Sequence, residues 1–453
     1  MEGKMNKPET LFISIASYRD AELLPTLQDM LHRAANPENL RIAICWQDNE
    51  DLQVFAQAGL ELQGCQTVAG EKVATYRYQQ AEIAIIIKHY YSSQGACWAR
   101  SLAEKLFNNE TYFLQIDSHC RFIPRWDSEM IAMLQQLRTT SALPIISSYP
   151  PAYSPGEGEE ESKKSYVSRL VFNEYDRLGI PMFNSRTFED SAPVRGSYLA
   201  AGFIFTSGDF VSTVANDPQI FFAGEEIAMA VRAFTHGYDI YHPHKPLLWH
   251  YYQREEGPKV WGDHTTEAQE EGAVEQAWWQ RDNLAKKRVR TLLGLEDESA
   301  DSLTPYTLGN KRTLRQFEYQ AGICLQSGTV LPEVAGSDAV SFFATPPNDE
   351  AEWLARQFAW YKKPITLNQA DFTFCVQHEG DLHIHVYSLH NVLLYQRKLT
   401  PVDLQALRAA AINDQLRLSL DFKAAHQAHQ PATIRICAWS AAQGWGTVTE
   451  SAW

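Results

Sequence analysis

Tyr112-Phe113-Leu114-Gln115-Ile116-Asp117-Ser118-His119 is the stretch on which the fold turns: an apolar run stops at a carboxylate and an imidazole two positions apart. A strand alternates its faces with a period of two, so an extended backbone through His119 projects Asp117 and His119 to the same side. One hard oxygen donor and one borderline nitrogen donor suit Mn²⁺ or Mg²⁺ better than a closed zinc site, which takes four N or S ligands. Such an ion holds a diphosphate. The same residues also fit a turn capped by Asp117 with His119 incidental, so the surrounding segments decide.

Working outward, short β-like runs alternate with helical patterns from Leu11 to about Pro150, which predicts an α/β domain with a mainly parallel sheet. Leu11–Ala16, Arg41–Trp46, Glu82–Lys88 and Thr111–Ile116 read as strands. Leu24, Leu27, Met30, Leu31 and Ala34 give one helix its apolar face, with Pro25 in the first turn. Ala99, Leu102, Ala103 and Leu106 give another, over Ala96–Phe107. Ligands of open α/β sheets bind at the carboxyl ends of the strands, which is where Asp117 and His119 fall. Pro150–Lys164, rich in Pro, Gly, Ser and Glu, reads as a surface loop, either a lid or an acidic solvated segment. Tyr198–Thr206 reads as a strand, Glu225–His236 as a helix, and Thr266–Leu293 as a long, interrupted helical pattern.

Leu295–Asn310 is the expected domain boundary, dividing a domain over residues 1–300 from a β-rich accessory domain over 311–453. In the latter, Phe372–Val376, Leu382–Tyr387, Val392–Tyr395 and Thr433–Trp439 are strand-like. That module suits an acceptor- or carbohydrate-binding sandwich as well as a structural or dimerising one.

At 453 residues the chain is long enough for two or three domains, and its 12 Trp, 20 Tyr and 21 Phe supply surfaces on which sugar rings stack as well as core filling. A net charge of −15 argues against broad binding to nucleic acid or anionic membranes, so a diphosphate ligand needs a local metal or arginine. The 7 cysteines are scattered singly without a C-x-x-C, which favours a reducing compartment. Met1–Pro8 has no apolar signal core and no run reaches the length of a membrane span, so the expectation is a cytoplasmic protein.

Four segments now line up in order: Ser14–Asp20, Gly95–Arg100, Gln115–His119, and Phe221–Glu226 with Trp249-His250 downstream. Together they resemble the N-acetylglucosaminyltransferases that modify polypeptide hydroxyls, the group that includes hydroxyproline-modifying enzymes, over about Leu11 to Glu256. The resemblance implies a GT-A fold, UDP-GlcNAc as donor, a divalent cation, and retention of the anomeric configuration. It implies that Asp117-Ser118-His119 stands for the D-x-D motif, with Asp117 and His119 as metal ligands, His250 completing the shell, and Ser118 on the donor side. His242 and His244 compete with His250. Ser17, Tyr18 and Arg19 occupy the positions that receive uridine, Asp48 the position that meets the uracil edge, and Arg100 that of a phosphate or ribose clamp. Glu225 and Glu226 correspond to acids that touch the transferred sugar or the acceptor, Glu225 being favoured for the sugar, and Gly202 to the floor of the sugar pocket.

Each residue has a plainer reading. Ser17 and Asp20 fit loop caps, Asp48 a turn, Arg100 an exposed helix arginine, the two glutamates a helix N-terminus, Gly202 a packing glycine and His250 a packed histidine. The acceptor expected is a serine, threonine or hydroxyproline hydroxyl of a protein or peptide, with a glycan or small hydroxylated molecule as the alternative. Outside this class stand a metal-dependent oxygenase or hydrolase built on Asp117, His119 and His250, and a non-catalytic sugar-binding protein.

Overall fold

In the computed structural model, which describes residues 9–156, 161–254, 257–336, 338–367, 369–411, 416–425 and 430–453, the run ending at Asp117 is a central strand. Met1–Pro8, residues 157–160 of the acidic loop, and Glu256 lie outside the described residues. The chain divides into two units, one holding the residues up to 326 and a short return through 346, the other residues 327–336 and 347–453.

The first unit begins with β1 (Leu11–Tyr18) and α1 (Leu23–Arg33), which buries Leu23, Leu27, Met30 and Leu31. There follow β2 (Leu40–Asp48), β3 (Glu61–Val68), β4 (Glu71–Tyr78), β5 (Ala81–His89) and α2 (Ala96–Glu104). Then come β6 (Tyr112–Asp117), β7 (Cys120–Phe122), α3 (Trp126–Leu137) and β8 (Pro144–Ser147). A hairpin of β9 (Val167–Tyr175) and β10 (Pro181–Phe188) precedes β11 (Val194–Gly196), β12 (Phe203–Ser207), α4 (Glu225–Thr235), β13 (Asp239–His242) and β14 (Leu248–His250). Further helices are α5 (Val260–Asp263), Thr266–Glu270, α6 (Trp278–Leu292) and α7 (Leu314–Ala321).

Ten strands form one sheet in the order β11-β13-β8-β12-β6-β1-β2-β5-β4-β3. The expected parallel sheet is its centre, where β6, β1, β2 and β5 run side by side with Ile13 opposite both Ile42 and Leu114. Leu11, Phe12, Ile13 and Ile15 are buried, as befits a parallel strand covered on both faces. Antiparallel pairs flank this centre, β3 with β4, β4 with β5, and β12 with both β6 and β8, while β13 returns parallel to β8. Local turn chemistry accounts for the first two pairings. Ala69-Gly70 and Gln79-Gln80 all hold positive φ, the conformation that closes a two-residue hairpin with the right twist.

The strand expected over Tyr198–Thr206 starts only at Phe203, because Phe203 N–H donates to Ala200 O across a tight turn. The boundary expected at 295–310 falls later. α7 belongs to the first unit: Phe317 is buried and packs edge-on to Phe234 of α4 and to Tyr198, while the N–H groups of Lys311 and Arg312 both donate to Thr235 O.

The second unit contains β15 (Phe358–Thr366), α8 (Gln369–Gln377), β16 (Asp381–Ser388), β17 (Leu393–Leu399), α9 (Pro401–Ala409), β18 (Arg417–Ala425) and β19 (Pro431–Ser440). β15 pairs with β18, and β16 lies between β17 and β19, all antiparallel. Leu382, Ile384 and Val386 alternate inward onto Leu418, Leu420 and Phe422. Phe372–Val376 is not a strand but part of α8: the two residues it buries, Phe372 and Cys375, are three apart, the spacing of one helix face. Among the described residues no helix is long and apolar enough to cross a membrane.

Candidate functional site

Three backbone segments converge at the carboxyl end of β6. That strand delivers Asp117; β14 delivers His250 and pairs with β7 so that His250 lies opposite Cys120. The extended backbone breaks at Ser118-His119, and this bend, rather than strand alternation, turns His119 toward both. One ligand atom from each of Asp117, His119 and His250 lies within 4.8 Å of the others. His250 Nε2 is 3.1 Å from Asp117 Oδ2, and the two imidazole rings are 4.5 Å apart. His242 and His244 are not in the cluster; His242 is buried with Nδ1 2.7 Å from Ser147 O.

Carboxylate and neutral imidazole form the donor set that Mn²⁺ or Mg²⁺ accepts. Burial pushes the His250 pKa down, against the pull of Asp117, so near neutral pH the ring is uncharged, as a metal ligand must be. Its Nδ1 is buried without a hydrogen-bond partner. Burial also acts to raise the Asp117 pKa, but the hydrogen bond from His250 and the Arg100 charge outweigh it and hold the carboxyl far below the ordinary range. With 29% of its side chain exposed, Asp117 remains open to a ligand. Gly202 keeps it open, since a Cβ there would stand 2.6 Å from Asp117 Oδ2. The residues therefore fit a divalent cation.

Arg100 is not an exposed helix arginine. Its side chain is 4% exposed, Nη2 donates to Asp117 Oδ1 at 2.8 Å, and Nη1 donates to Glu225 Oε1. α2 can aim it there because Gly95, at φ 113°, packs directly on the Phe221 carbonyl, where a Cβ would come within 2.3 Å. The guanidinium is thus committed to two carboxylates and does not reach out as a free clamp.

A cavity of about 600 Å³ opens beside this cluster. Tyr18, Arg100, Asp117, Ser118, His119, Gly202, Glu225, Glu226 and His250 all line it. Ser17, Arg19 and Asp48 do not. Ala16 and Tyr18 face the cavity from β1, so period two turns Ser17 inward, where it is fully buried. Gln47 lines the wall from β2 and Asp48 points the other way, its Oδ1 accepting from Asn49 N–H at 2.9 Å, the plain turn role. Arg19 pairs with Asp263 at 2.9 Å and lies over the Tyr90 ring. Tyr18 OH also donates to Asp263, at 2.7 Å.

Glu225 and Glu226 begin α4 but are not simply helix-dipole residues. Glu225 is held by Arg100; Glu226 accepts from Tyr149 OH at 2.5 Å and from Ala201 N–H at 3.2 Å. The residues that sequence reading left out are the partners: Arg254, Tyr149, Gln47 and Asp263, together with Asp20, whose side chain faces His119 rather than merely capping a loop. Arg254 stands four residues past His250, close enough for that motif to have pointed to it. Asp263 carried no signal, because its contact with Arg19 spans 244 positions.

A family model described as Glycosyltransferase (GlcNAc) matches residues 10–326. No curated protein sequence matches the chain. Among solved structures, the crystal structure of GalNAc-T7 with UDP, GalNAc and Mn²⁺ is similar at a TM-score of 0.42 and 14% identity, over 68% of this chain and 54% of that one. This chain therefore spans about half the length of GalNAc-T7. The S. aureus TarS 1–349 structure gives 0.33 and 9%, over 62% of this chain and 71% of that one. The S. aureus TarS structure gives 0.34 and 10%, over 98% and 77%.

Proposed function

The chain belongs to the GlcNAc glycosyltransferase family, with an α/β domain of the GT-A type and a β-rich C-terminal region, and on that premise we propose that it is a metal-dependent retaining enzyme moving N-acetylglucosamine from UDP-GlcNAc to a hydroxyl of a protein or peptide. The observation that carries the proposal is the convergence of Asp117, His119 and His250 on one cavity at the carboxyl end of β6. The first unit carries the chemistry and the second is accessory. The family assignment removes the support for the oxygenase, hydrolase and non-catalytic readings.

Asp117, His119 and His250 would hold Mn²⁺ or Mg²⁺, which supplies positive charge against the diphosphate leaving group. Arg100 fixes the direction of the Asp117 carboxylate and holds Glu225 in the same fork. Tyr18 presents a ring for the nucleoside, with Gln47 in the wall beside it hydrogen-bonded to Ser17 O and Ser93 Oγ, and Gly202 leaves room for the sugar beside Asp117. Glu226, tethered through Tyr149 and Ala201, orients a hydroxyl of the sugar or acceptor. Phe222, Trp261, Tyr252 and Met182 are exposed residues that also line the cavity, an apolar rim against which an acceptor can pack. We place the protein in the cytoplasm, in keeping with seven unpaired cysteines.

UDP release from UDP-GlcNAc in the presence of Mn²⁺ tests the donor, and intact-mass analysis after incubation with serine-, threonine- and hydroxyproline-containing peptides or with oligosaccharides tests the acceptor. The expected product is a peptide heavier by one N-acetylhexosamine. Labelling confined to oligosaccharides would overturn the polypeptide acceptor while leaving the donor intact.

Glu226 also makes a pH prediction. Burial pushes its carboxyl up to about 7, against hydrogen bonds from Tyr149 and Ala201 and with Glu225 adding to the rise. In the unfolded chain it ionises near 4.5, so between 4.5 and about 7 the folded state holds the extra proton and stability falls as pH rises. Glu226→Gln removes that fall. The urea midpoint of the variant should gain on the parent between pH 4.5 and 7 by a stability difference on the order of 3 kcal/mol, one pKa unit being about 1.4. Parallel curves for the two proteins across that window would rule the assignment out.

A further inference from the structure

Asp20 lies two residues beyond β1, yet its side chain is only 2% exposed. Every oxygen it has is in use. Oδ2 accepts from Ser118 Oγ at 2.5 Å and sits 2.8 Å from His119 Nδ1; Oδ1 accepts from Glu22 N–H at 3.0 Å and pairs with Arg254 Nη2 at 3.2 Å. Nδ1 also stands 3.1 Å from Arg254 Nη1, which can only donate, but its shorter contact is to the carboxylate; a carboxylate oxygen and a bare ring nitrogen repel at 2.8 Å, so a proton lies between them and Nδ1 is the donor. A neutral imidazole that carries its proton on Nδ1 keeps its lone pair on Nε2.

We infer that Asp20 is a positioning residue for the cation: by accepting from Nδ1 it holds His119 in the one tautomer and ring orientation that offers Nε2 as a ligand beside Asp117 and His250. The inference rests on the reading of those three residues as a cation site. Arg254, whose Nη2 pairs with Asp20 Oδ1 at 3.2 Å and whose Nη1 lies 3.1 Å from His119 Nδ1, offsets the Asp20 charge beside the imidazole, and with both oxygens occupied Asp20 is not itself available as a fourth ligand. Ser118, which follows Asp117, clips the same carboxylate to the bend that carries His119. The loop after β1, which follows directly on Tyr18 in the cavity wall, is thereby tied to the metal ligands through a single side chain.

The test uses the full-length protein freed of metal. Mn²⁺ titration followed by electron paramagnetic resonance should give an affinity about 10–100-fold weaker for Asp20→Asn than for the parent, the range typical of an outer-shell partner. Parent and Asp20→Asn binding Mn²⁺ equally would overturn the positioning role and leave the cation site standing, whereas a parent that binds no Mn²⁺ removes the cation reading and this inference with it. The tautomer gives a readout that needs no variant: ¹⁵N-histidine spectra of the metal-free parent should show His119 protonated at Nδ1, and protonation at Nε2 alone would refute the inference even if Asp20→Asn fails to fold.

Discussion

Asp117→Ala is expected to stop UDP release from UDP-GlcNAc and Mn²⁺, with a fall of about 10³-fold or more. The side chain is the single carboxylate in the cluster with His119 and His250, and it supplies the negative charge that makes a hard divalent ion prefer this place to water. Loss of an electrostatic stabiliser of a leaving group raises the barrier by about 4 kcal/mol, and each 1.4 kcal/mol is roughly tenfold in rate. The alanine variant also removes one of the two partners of Arg100, so a loss of turnover has to be separated from a loss of fold. Asp117→Asn serves that purpose: it keeps the shape and an oxygen for Arg100 and withdraws the charge. If the Asp117→Asn protein melts near the parent temperature and still releases no UDP, the charge is what the chemistry needs. Turnover by either variant at the parental rate would sink the assignment of this cavity as the site of transfer.

The cation cluster was legible because its first two members are two positions apart and sit where a buried strand meets solvent. Strand alternation alone does not account for it: period two would bring Asp117 and His119 together only on an extended backbone, and the chain instead bends at Ser118. Period two did govern β1 and β2, and applied more strictly it exchanges Ser17 and Asp48 for Tyr18 alone and Gln47 as cavity residues. Glu82–Lys88 was legible as the strand that is β5, but the β3–β4 hairpin beside it was missed, and β3, exposed on both faces, leaves no alternation to read. The Phe372–Val376 segment misled for the opposite reason: its aromatic and β-branched residues favour strands locally, while the core of the second unit takes only Phe372 and Cys375. Tertiary partners were the least legible of all. Arg100 gave no sign in the sequence that its two targets would be residues 17 and 125 positions away.

That commitment of Arg100 leads to the second large effect, on stability. Arg100→Ala leaves the Asp117 and Glu225 carboxylates near each other without the guanidinium that bridges them. Removing one member of a buried ionic cluster typically costs about 3–5 kcal/mol, because the charges left behind are desolvated and unpaired. For a chain of this size a melting temperature lower by about 5 °C follows. Arg100→Lys should recover little of it, since one ammonium on a flexible stem cannot hold Asp117 Oδ1 and Glu225 Oε1 in a fixed fork. Mn²⁺ should recover more. A divalent ion beside Asp117 replaces part of the missing positive charge, and anything bound to the folded state alone stabilises it in proportion to the logarithm of its concentration over Kd. Saturating Mn²⁺ is therefore expected to raise the melting temperature of Arg100→Ala by more than it raises that of the parent. Calorimetry of the two proteins with and without Mn²⁺ decides the matter: equal melting temperatures for parent and variant, or a larger Mn²⁺ shift in the parent, would show that Arg100 does not hold these carboxylates for the cation.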